Sequence, residues 1–161
     1  MERLTDIRVR PATIDDAEFL VGGNAQLAFE TEDLSLDIDR LRGGVHAIFE
    51  DPARGFYLIA EVDGKRAGQM LITYEWSDWR NGMFWWIQSV YAVPELRRRG
   101  VFRALYVEAE ALAQQRGTVC GLRLYVDMHN RPAQEVYRRC GMHKTAYHLF
   151  EIDYVVRPPK G

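Results

Sequence analysis

The chain has 161 residues, of which 47% are hydrophobic and 27% charged, and its formal net charge is −2. These values are typical of a soluble globular protein with a substantial core, and we expect a single domain over residues 1–161. The slight negative charge argues against nucleic acid as the main partner, because domains that bind nucleic acid are usually clearly basic.

Cysteine usage and the N-terminal stretch indicate the compartment. Cys120 and Cys140 are the only cysteines, and the first residues lack the apolar core of a secretory leader. No apolar run approaches the roughly 18 residues of a membrane span. The sequence therefore predicts a cytoplasmic protein with reduced thiols and no membrane segment.

The front half predicts one strand and two helices. Residues 7–10 alternate apolar and polar side chains, as a strand does, before Pro11. Thr13 followed by Asp16 resembles a capping box and predicts a helix that continues to Phe29. Residues 37–49 carry apolar side chains at helical spacing and predict a second helix.

Three β-rich runs follow. Residues 56–62 and 67–74 are joined at Asp63-Gly64, which predicts a tight hairpin. Residues 83–93 predict a long strand. This part of the sequence therefore predicts the centre of a sheet.

The second half alternates helices with strands. A helix is predicted over residues 99–116 and a strand over residues 122–126, and Asn130 is the predicted cap of a last helix. Residues 145–156 predict one or two further strands. The order β-α-α-β-β-β-α-β-α-β indicates an α/β (α+β) fold with a mixed sheet covered by helices.

A basic loop between the long strand and the third helix has the features of an anion receptor. Arg97, Arg98 and Arg99 precede Gly100 where the helix begins. The first N–H groups of a helix have no intrahelical partner, and a glycine lets the backbone approach a ligand closely. The pattern is consistent with a pyrophosphate site, while a solvated basic surface is the alternative.

Two motifs resemble those of the GCN5-related N-acetyltransferases (GNAT). Arg97-x-x-Gly100-x-Phe102 is similar to the acetyl-CoA loop Arg/Gln-x-x-Gly-x-Gly/Ala, with Phe102 in place of the small residue. The stretch from Asn130 to Met142 is similar to Asn-x-x-Ala-x-x-x-Tyr-x-x-x-Gly-Phe. The resemblance implies the GNAT fold, with six to seven strands flanked by about four helices.

The same resemblance implies the residues that hold acetyl-CoA. Backbone groups of Tyr91, Ala92 and Val93 would bind the pantetheine arm, and Asn130 would contact it. Backbone amides of the basic loop would bind the pyrophosphate, and their residues are Arg98, Arg99, Gly100, Val101, Phe102 and Arg103. A backbone N–H near Val90 or Tyr91 would polarise the thioester carbonyl.

Tyr137 matches the family tyrosine that donates a proton to the departing thiolate, although its spacing also suits a core tyrosine on a helix face. The general base is left open. Tyr125 stands where some relatives carry a carboxylate, so a water relay is one alternative. The carboxylate alternatives are Glu30, Glu32, Glu75 and Asp78.

Four tryptophans crowd residues 76–86, and they suit either an aromatic acceptor pocket or a strand buried on both faces. They are Trp76, Trp79, Trp85 and Trp86. The four histidines show no metal-ligand spacing, and we expect no metal.

The resemblance implies an enzyme that transfers acetyl from acetyl-CoA to a primary amine by direct attack in a ternary complex. The acceptor, a small molecule or a peptide, is not identified by the sequence. A non-catalytic acyl-CoA sensor or interaction module on the same fold is the alternative. An exposed sheet edge at the C-terminal strands would allow a homodimer.

Overall fold

The computed structural model describes residues 6–159, and the chain divides into two compact units, Met1–Tyr125 and Val126–Gly161. The first unit holds the whole sheet and three of the long helices. The second holds one helix and, up to residue 159, a segment without regular secondary structure. The single domain expected from the chain length stays a prediction.

The sheet of the first unit has five strands that lie side by side in chain order. Neighbours from β1 to β4 are antiparallel, whereas β4 and β5 are parallel. The strands are β1 (Ile7–Pro11), β2 (Phe56–Val62), β3 (Lys65–Ser77), β4 (Gly82–Ala92) and β5 (Val119–Arg123).

Helices connect these strands at both ends of the unit. A 3₁₀ turn at Ile14–Asp16 leads into α1 (Ala17–Glu32), and α2 (Ile38–Glu50) follows. A second 3₁₀ turn, Pro94–Leu96, precedes α3 (Val101–Arg116). In the second unit α4 spans Arg131–Arg139.

The core under α1 and α2 is built from alternate residues of the sheet. Tyr57 and Ile59 of β2 and Leu71 of β3 are buried against Leu20 and Val45 of the two helices. Tyr57 and Ile59 are two residues apart, and Tyr57 pairs with Leu71 of the next strand. The three side chains therefore lie on one face of the sheet. The opposite face of β2 and β3 carries fully buried Leu58, Met70 and Ile72.

A buried carboxylate joins the first strand to the hairpin of β2 and β3. The side chain of Asp16, 1% exposed, is within 2.8 Å of the Arg10 guanidinium and within 2.6 Å of that of Arg66. It also accepts a hydrogen bond from the Thr13 N–H at 2.8 Å. Hydrogen bonding to Arg10 holds the pKa of Asp16 well below its usual range.

Most sequence expectations for this fold are confirmed. The mixed α/β architecture is present, Asp63 and Gly64 both have positive φ at the hairpin turn, and Asn130 caps α4. Within residues 6–159 the sheet has five strands, not six to seven. The bounds of the fifth strand also differ from the prediction: β5 covers Val119–Arg123 instead of residues 122–126, and its pairing with β4 ends at Arg123.

The prediction of strands over residues 145–156 is wrong, since none is present there. The apolar pattern is real, but a strand also needs a neighbouring edge for its hydrogen bonds. The large apolar side chains of this segment are exposed instead: Tyr147, Leu149, Phe150, Ile152, Tyr154, Val155 and Val156. Among residues 6–159, none of the helices combines the length and the apolar character needed to cross a bilayer.

Candidate functional site

β4 and β5 diverge, and this divergence opens one edge of β4. The two strands pair from Met83–Val119 to Trp86–Arg123, after which β5 ends and β4 continues to Ala92. On this side, no strand of the described part of the chain pairs with residues 87–92. We call these residues the open edge of β4. Their outward N–H and C=O groups can bind an extended, amide-containing ligand.

A β-bulge distorts the middle of the open edge. Gln88 pairs with Leu71 and Tyr91 with Gln69, so Ser89 and Val90 together oppose a single residue of β3. Ser89 has a φ of 49°, in the left-handed region that non-glycine residues rarely adopt. Such a conformation persists only where the surrounding structure holds it, and it often occurs at functional sites.

Gln69 holds this bulge from inside the protein. Its side chain is fully buried, and its Nε2 donates to the Ser89 carbonyl at 3.2 Å. Its Oε1 has no hydrogen-bond partner among the described residues. Gly23 of α1 makes room for the amide, because a Cβ there would lie 2.2 Å from Oε1. The bulge is thus supported by a buried polar group that a hydrophobic residue would not replace.

The open edge leads through the Pro94–Leu96 turn to the basic loop. Gly100 has a φ of 87° and precedes α3, and the nearest atom to a Cβ placed there is Ile7 Cδ1 at 3.9 Å. The Ala104 N–H is bonded to Gly100 O at 2.9 Å, so the amides before Ala104 head the helix. Glycine is therefore required here for its backbone conformation, and the helix N-terminus favours an anion.

The Arg97 side chain contacts other residues of the protein, although the sequence predicted that it would bind phosphate. Its Nε donates to Ala92 O at 3.0 Å, and its Nη2 lies 2.7 Å from Glu30 Oε2 of α1. Its guanidinium also lies over the Tyr91 ring, 5.4 Å from the centroid. Arg97 therefore fastens the loop to the end of β4 and to α1.

The remaining arginines of the loop are better placed to meet an anion. Arg98, Arg99 and Arg103 are exposed, and Arg98 has a φ of 64°. Phe102, the residue that departs from the family motif, packs along α3 with its ring 6.1 Å from that of Tyr106. The larger side chain is thus in contact with another aromatic residue of the same helix.

The predicted pantetheine residues end β4. Tyr91 is buried, and Ala92 and Val93 are half-buried. The Val93 N–H already donates to Ala67 O at 2.9 Å, and the Val93 carbonyl already accepts from the Leu96 N–H at 3.0 Å. The amides nearer the bulge are consequently the stronger candidates within this set.

Asn130 and Tyr137 lie in the second unit, where α4 positions both. The Asn130 side-chain oxygen accepts from the Ala133 N–H at 3.2 Å and so begins the helix, which leaves its amide NH₂ for another partner. Tyr137 is half-buried on the same helix. Burial, with a smaller contribution from Cys140, raises the pKa of the Tyr137 phenol.

The four carboxylates considered as general bases differ in their surroundings. Glu30 is paired with Arg97, and Glu75 is paired with the Arg123 guanidinium. Asp78 lies in the turn between β3 and β4 and accepts from the Trp79 N–H at 2.9 Å. Glu32 is exposed at the end of α1.

The four tryptophans do not form one cluster. Trp85 is 2% exposed and packs edge-on against Phe56, in the core. Trp79 is 85% exposed at the tip of the β3–β4 hairpin. Trp86, the next residue after Trp85, has its side chain on the opposite face of the sheet. Only part of the aromatic run can therefore line a pocket.

Metal-ligating side chains are scattered. Residues 6–159 contain no group of three or more His, Cys, Asp and Glu side chains arranged to hold an ion.

Three features of the site escaped sequence reasoning: the Ser89 bulge, the buried Gln69 and the Arg97–Glu30 pair. A glutamine inside the apolar run from Ala67 to Tyr74 was the one available signal for Gln69. The ion pair joins residues 67 positions apart and leaves no local pattern.

Comparison with known proteins gives this geometry a family. The family model described as acetyltransferase (GNAT) family matches residues 22–142. No curated protein matches the chain at a significant level. The crystal structure of a possible acetyltransferase from Clostridium difficile 630 is 39% identical, with a TM-score of 0.84 over 91% of this chain and 97% of that one.

Two other solved structures are similar in fold. One is a predicted acetyltransferase with acetyl-CoA from Clostridium acetobutylicum, at 22% identity and a TM-score of 0.74, covering 92% of this chain and 97% of that one. The other is the aminoglycoside N-acetyltransferase AAC(6′)-Iy in complex with CoA, at 16% identity and a TM-score of 0.76, covering 95% of this chain and 98% of that one. The family model spans more than half of the sequence and agrees with the first solved structure, and the chain therefore belongs to the GNAT family of acetyltransferases.

Proposed function

We propose that the protein transfers an acetyl group from acetyl-CoA to a primary amine by direct attack in a ternary complex. The open edge of β4, which leads to the Gly100 loop, is the observation that supports this most strongly. It offers hydrogen-bonding backbone for a peptide-like arm, followed by a helix N-terminus for a diphosphate. Enzymes of this family use acetyl-CoA and need no metal.

The residues present fit that coenzyme. Tyr91 and Ala92 would bind the pantetheine arm with their backbone groups, and the Val93 carbonyl would accept from it with the lone pair that the Leu96 N–H does not use. Amides of the residues from Arg98 to Arg103 would bind the diphosphate, and the exposed guanidiniums of Arg98, Arg99 and Arg103 would add charge. By resemblance, the Asn130 amide would contact the pantetheine arm.

The chemistry needs a neutral amine, a polarised carbonyl and a proton for the leaving sulfur. Bound acetyl-CoA supplies the thioester, whose carbonyl carbon forms the new C–N bond while the C–S bond breaks. Amides at the Ser89 bulge would stabilise the developing negative charge on oxygen. The Tyr137 phenol would hold the proton that the thiolate takes up, and its raised pKa keeps it protonated.

Direct transfer is favoured over a covalent acetyl-enzyme, because the first unit offers no cysteine on the open edge. Its one cysteine, Cys120, is exposed on β5, and Cys140 follows α4 in the second unit. Glu30 and Glu75 are held in ion pairs, so a water relay is the simplest route for the amine proton.

The acceptor is proposed to be a small molecule or a peptide with a primary amine. Support comes from the similar fold of an aminoglycoside N-acetyltransferase, one structure of which holds a bisubstrate analogue of CoA and acetylneamine. At 17% identity this likeness supports the fold and the reaction type only.

We also propose that two copies of the chain associate. The sheet edge expected at residues 145–156 is absent, but the large apolar side chains of this segment are exposed. These side chains support association, because large exposed apolar patches often mark interaction surfaces.

Calorimetry and a thiol-release assay together test the enzymatic proposal. Acetyl-CoA is titrated into the protein, and free CoA thiol is then measured across a panel of primary amines. Binding with thiol release on at least one amine is expected. Binding without release on any amine would favour the non-catalytic sensor, and absence of binding would contradict both.

A further inference from the structure

Trp86 and Tyr125 form an aromatic pair where β4 and β5 diverge. Their ring centroids are 5.9 Å apart and their planes are tilted by 55°, so the rings are not stacked face to face. Trp86 is the last β4 residue that pairs with β5, and Tyr125 follows the end of β5 by two positions. Tyr125 is 62% exposed. A half-buried indole and an exposed phenol thus lie at the start of the open edge.

This pair lies on the acceptor's side of the proposed cofactor site. With the diphosphate at Gly100 and the thioester carbonyl at the Val90–Tyr91 amides, the coenzyme runs along the open edge towards Trp86. Trp86 precedes Val90 by four residues, a distance on the order of 10 Å along a strand. A group attached to an amine at the thioester would therefore extend to the two rings.

The charged groups beside the rings are already paired. Arg123, the β5 partner of Trp86, forms an ion pair with Glu75 and lies over the Phe84 ring, 3.6 Å from its centroid. The Arg80 guanidinium also lies over the Phe84 ring, 4.8 Å from its centroid. Glu75 thus already has a cationic partner, whereas the Tyr125 ring is exposed.

We propose that Trp86 and Tyr125 form the binding platform for the body of the acceptor, and that the acceptor is an amine carrying a flat apolar ring. The inference rests on the proposed function and names its substrate class. Aromatic rings associate through offset or edge-to-face contacts, which a flat ring can make with both side chains. A saturated ring of the same carbon skeleton cannot make them equally well.

The test compares 2-phenylethylamine with 2-cyclohexylethylamine, which share a skeleton and differ in flatness, and uses spermidine as the polycation. We expect kcat/KM to be at least about fivefold higher for the phenyl compound. Tyr125→Leu should reduce this ratio to within about twofold and leave the KM of acetyl-CoA unchanged, and Tyr125→Phe should keep the ratio.

Trp79→Leu is the matched control, because Trp79 is an exposed aromatic residue at the hairpin tip, and it should leave the ratio unchanged. Trp86→Leu provides a second test of the pair if Tyr125→Leu does not fold. Turnover that favours spermidine, or a ratio unaffected by both platform variants, would overturn the platform and leave the acetyltransferase proposal intact. Acetyl-CoA binding without turnover of any amine would instead overturn the proposed function, and the platform with it.

Discussion

Arg97 shows that a motif residue can act through its neighbours. The sequence motif suggests a charge for the diphosphate, but the guanidinium contacts Ala92 O, Glu30 and the Tyr91 ring. Its contribution to cofactor binding would then be to hold the rest of the basic loop, from Arg98 to Gly100, in place. Arg97 is in this view a positioning residue.

The Arg97–Glu30 pair gives the first prediction. Arg97→Ala should raise the KM of acetyl-CoA several-fold, and Glu30→Gln should raise it in the same direction because the loop loses the same contact. The double variant should be no worse than Arg97→Ala alone, since both changes remove one interaction. Steady-state kinetics of the four proteins measure this cycle.

If Arg97 instead binds the diphosphate directly, Glu30→Gln frees the guanidinium and the KM stays unchanged or falls. Glu18→Gln is the control, since Glu18 pairs with Arg42 elsewhere on α1 and α2.

Tyr137 gives the second prediction. Tyr137→Phe should lower kcat about tenfold with little change in the KM of acetyl-CoA, because proton donation is needed in the transition state only. The wild-type rate should decline on the alkaline side only above about pH 10, the ordinary tyrosine value, because burial raises the pKa and the protonated form is the active one.

Tyr147→Phe serves as the control, since Tyr147 is an 80% exposed tyrosine of the same unit. A Tyr137→Phe enzyme with kcat within about twofold of wild type would exclude the acid role.

Individual site residues were predictable where a local motif defines them. Gly100 and Asn130 have the backbone conformation and the capping role that their positions in the sequence indicate. Ser89 was not predictable, because its positive φ arises from a register shift between two strands and not from its own side chain. The burial of a glutamine at position 69 is likewise explained only by its hydrogen bond to the Ser89 carbonyl in that bulge.

At the scale of elements, the turn before α1 depends on one carboxylate. Asp16 joins β1, α1 and the β2–β3 hairpin through Arg10, Arg66 and the Thr13 N–H. Removing one partner of a buried ion pair leaves the other charges poorly compensated, which typically costs about 3 kcal/mol. Loss of this carboxylate should therefore weaken the contacts of β1 and of α1 with the β2–β3 hairpin together.

Asp16→Asn should lower the free energy of unfolding by about 3 kcal/mol in chemical denaturation. The pKa of Asp16 is depressed in the folded state, so its contribution is present above the unfolded value of 3.8 and is lost as the pH falls below it. Wild type should therefore lose stability more steeply than Asp16→Asn on acidification from about pH 4.

Asp39→Asn is the control, because that side chain is 98% exposed and its pairing with Arg42 should contribute little. If wild type and Asp16→Asn lost stability equally on acidification, the ionised Asp16 carboxylate would not be the group that stabilises these contacts.

At the scale of the whole molecule, short sequence patterns predicted where most helices and strands lie, but not which strands pair with each other or where the pairing ends. The hairpin at Asp63-Gly64 and the caps of the helices follow from short-range chemistry, so they could be predicted. The parallel pairing of β4 with β5 stops after Trp86, and nothing in either sequence marks that point. The same limit explains why residues 145–156 have a strand-like pattern without being a strand.

This segment gives the last prediction. Phe150 is 93% exposed and Ile152 is 68% exposed, and in an extended chain both would point to one side, with Glu151 on the other. Burying such side chains contributes about 25 cal/mol for each Å² of apolar surface, so a second copy of the chain would be stabilised by covering them. Light scattering should give about twice the 18.7 kDa mass of one chain at micromolar concentration.

Phe150→Ser combined with Ile152→Ser should shift that mass to 18.7 kDa, whereas Glu151→Gln should not. Neither variant changes the open edge, the Gly100 loop or Asn130, so each should still bind acetyl-CoA if it is folded. A wild-type protein that is monomeric at all concentrations tested would contradict association through this segment. The exposed apolar side chains would then have to be covered by something other than a second copy.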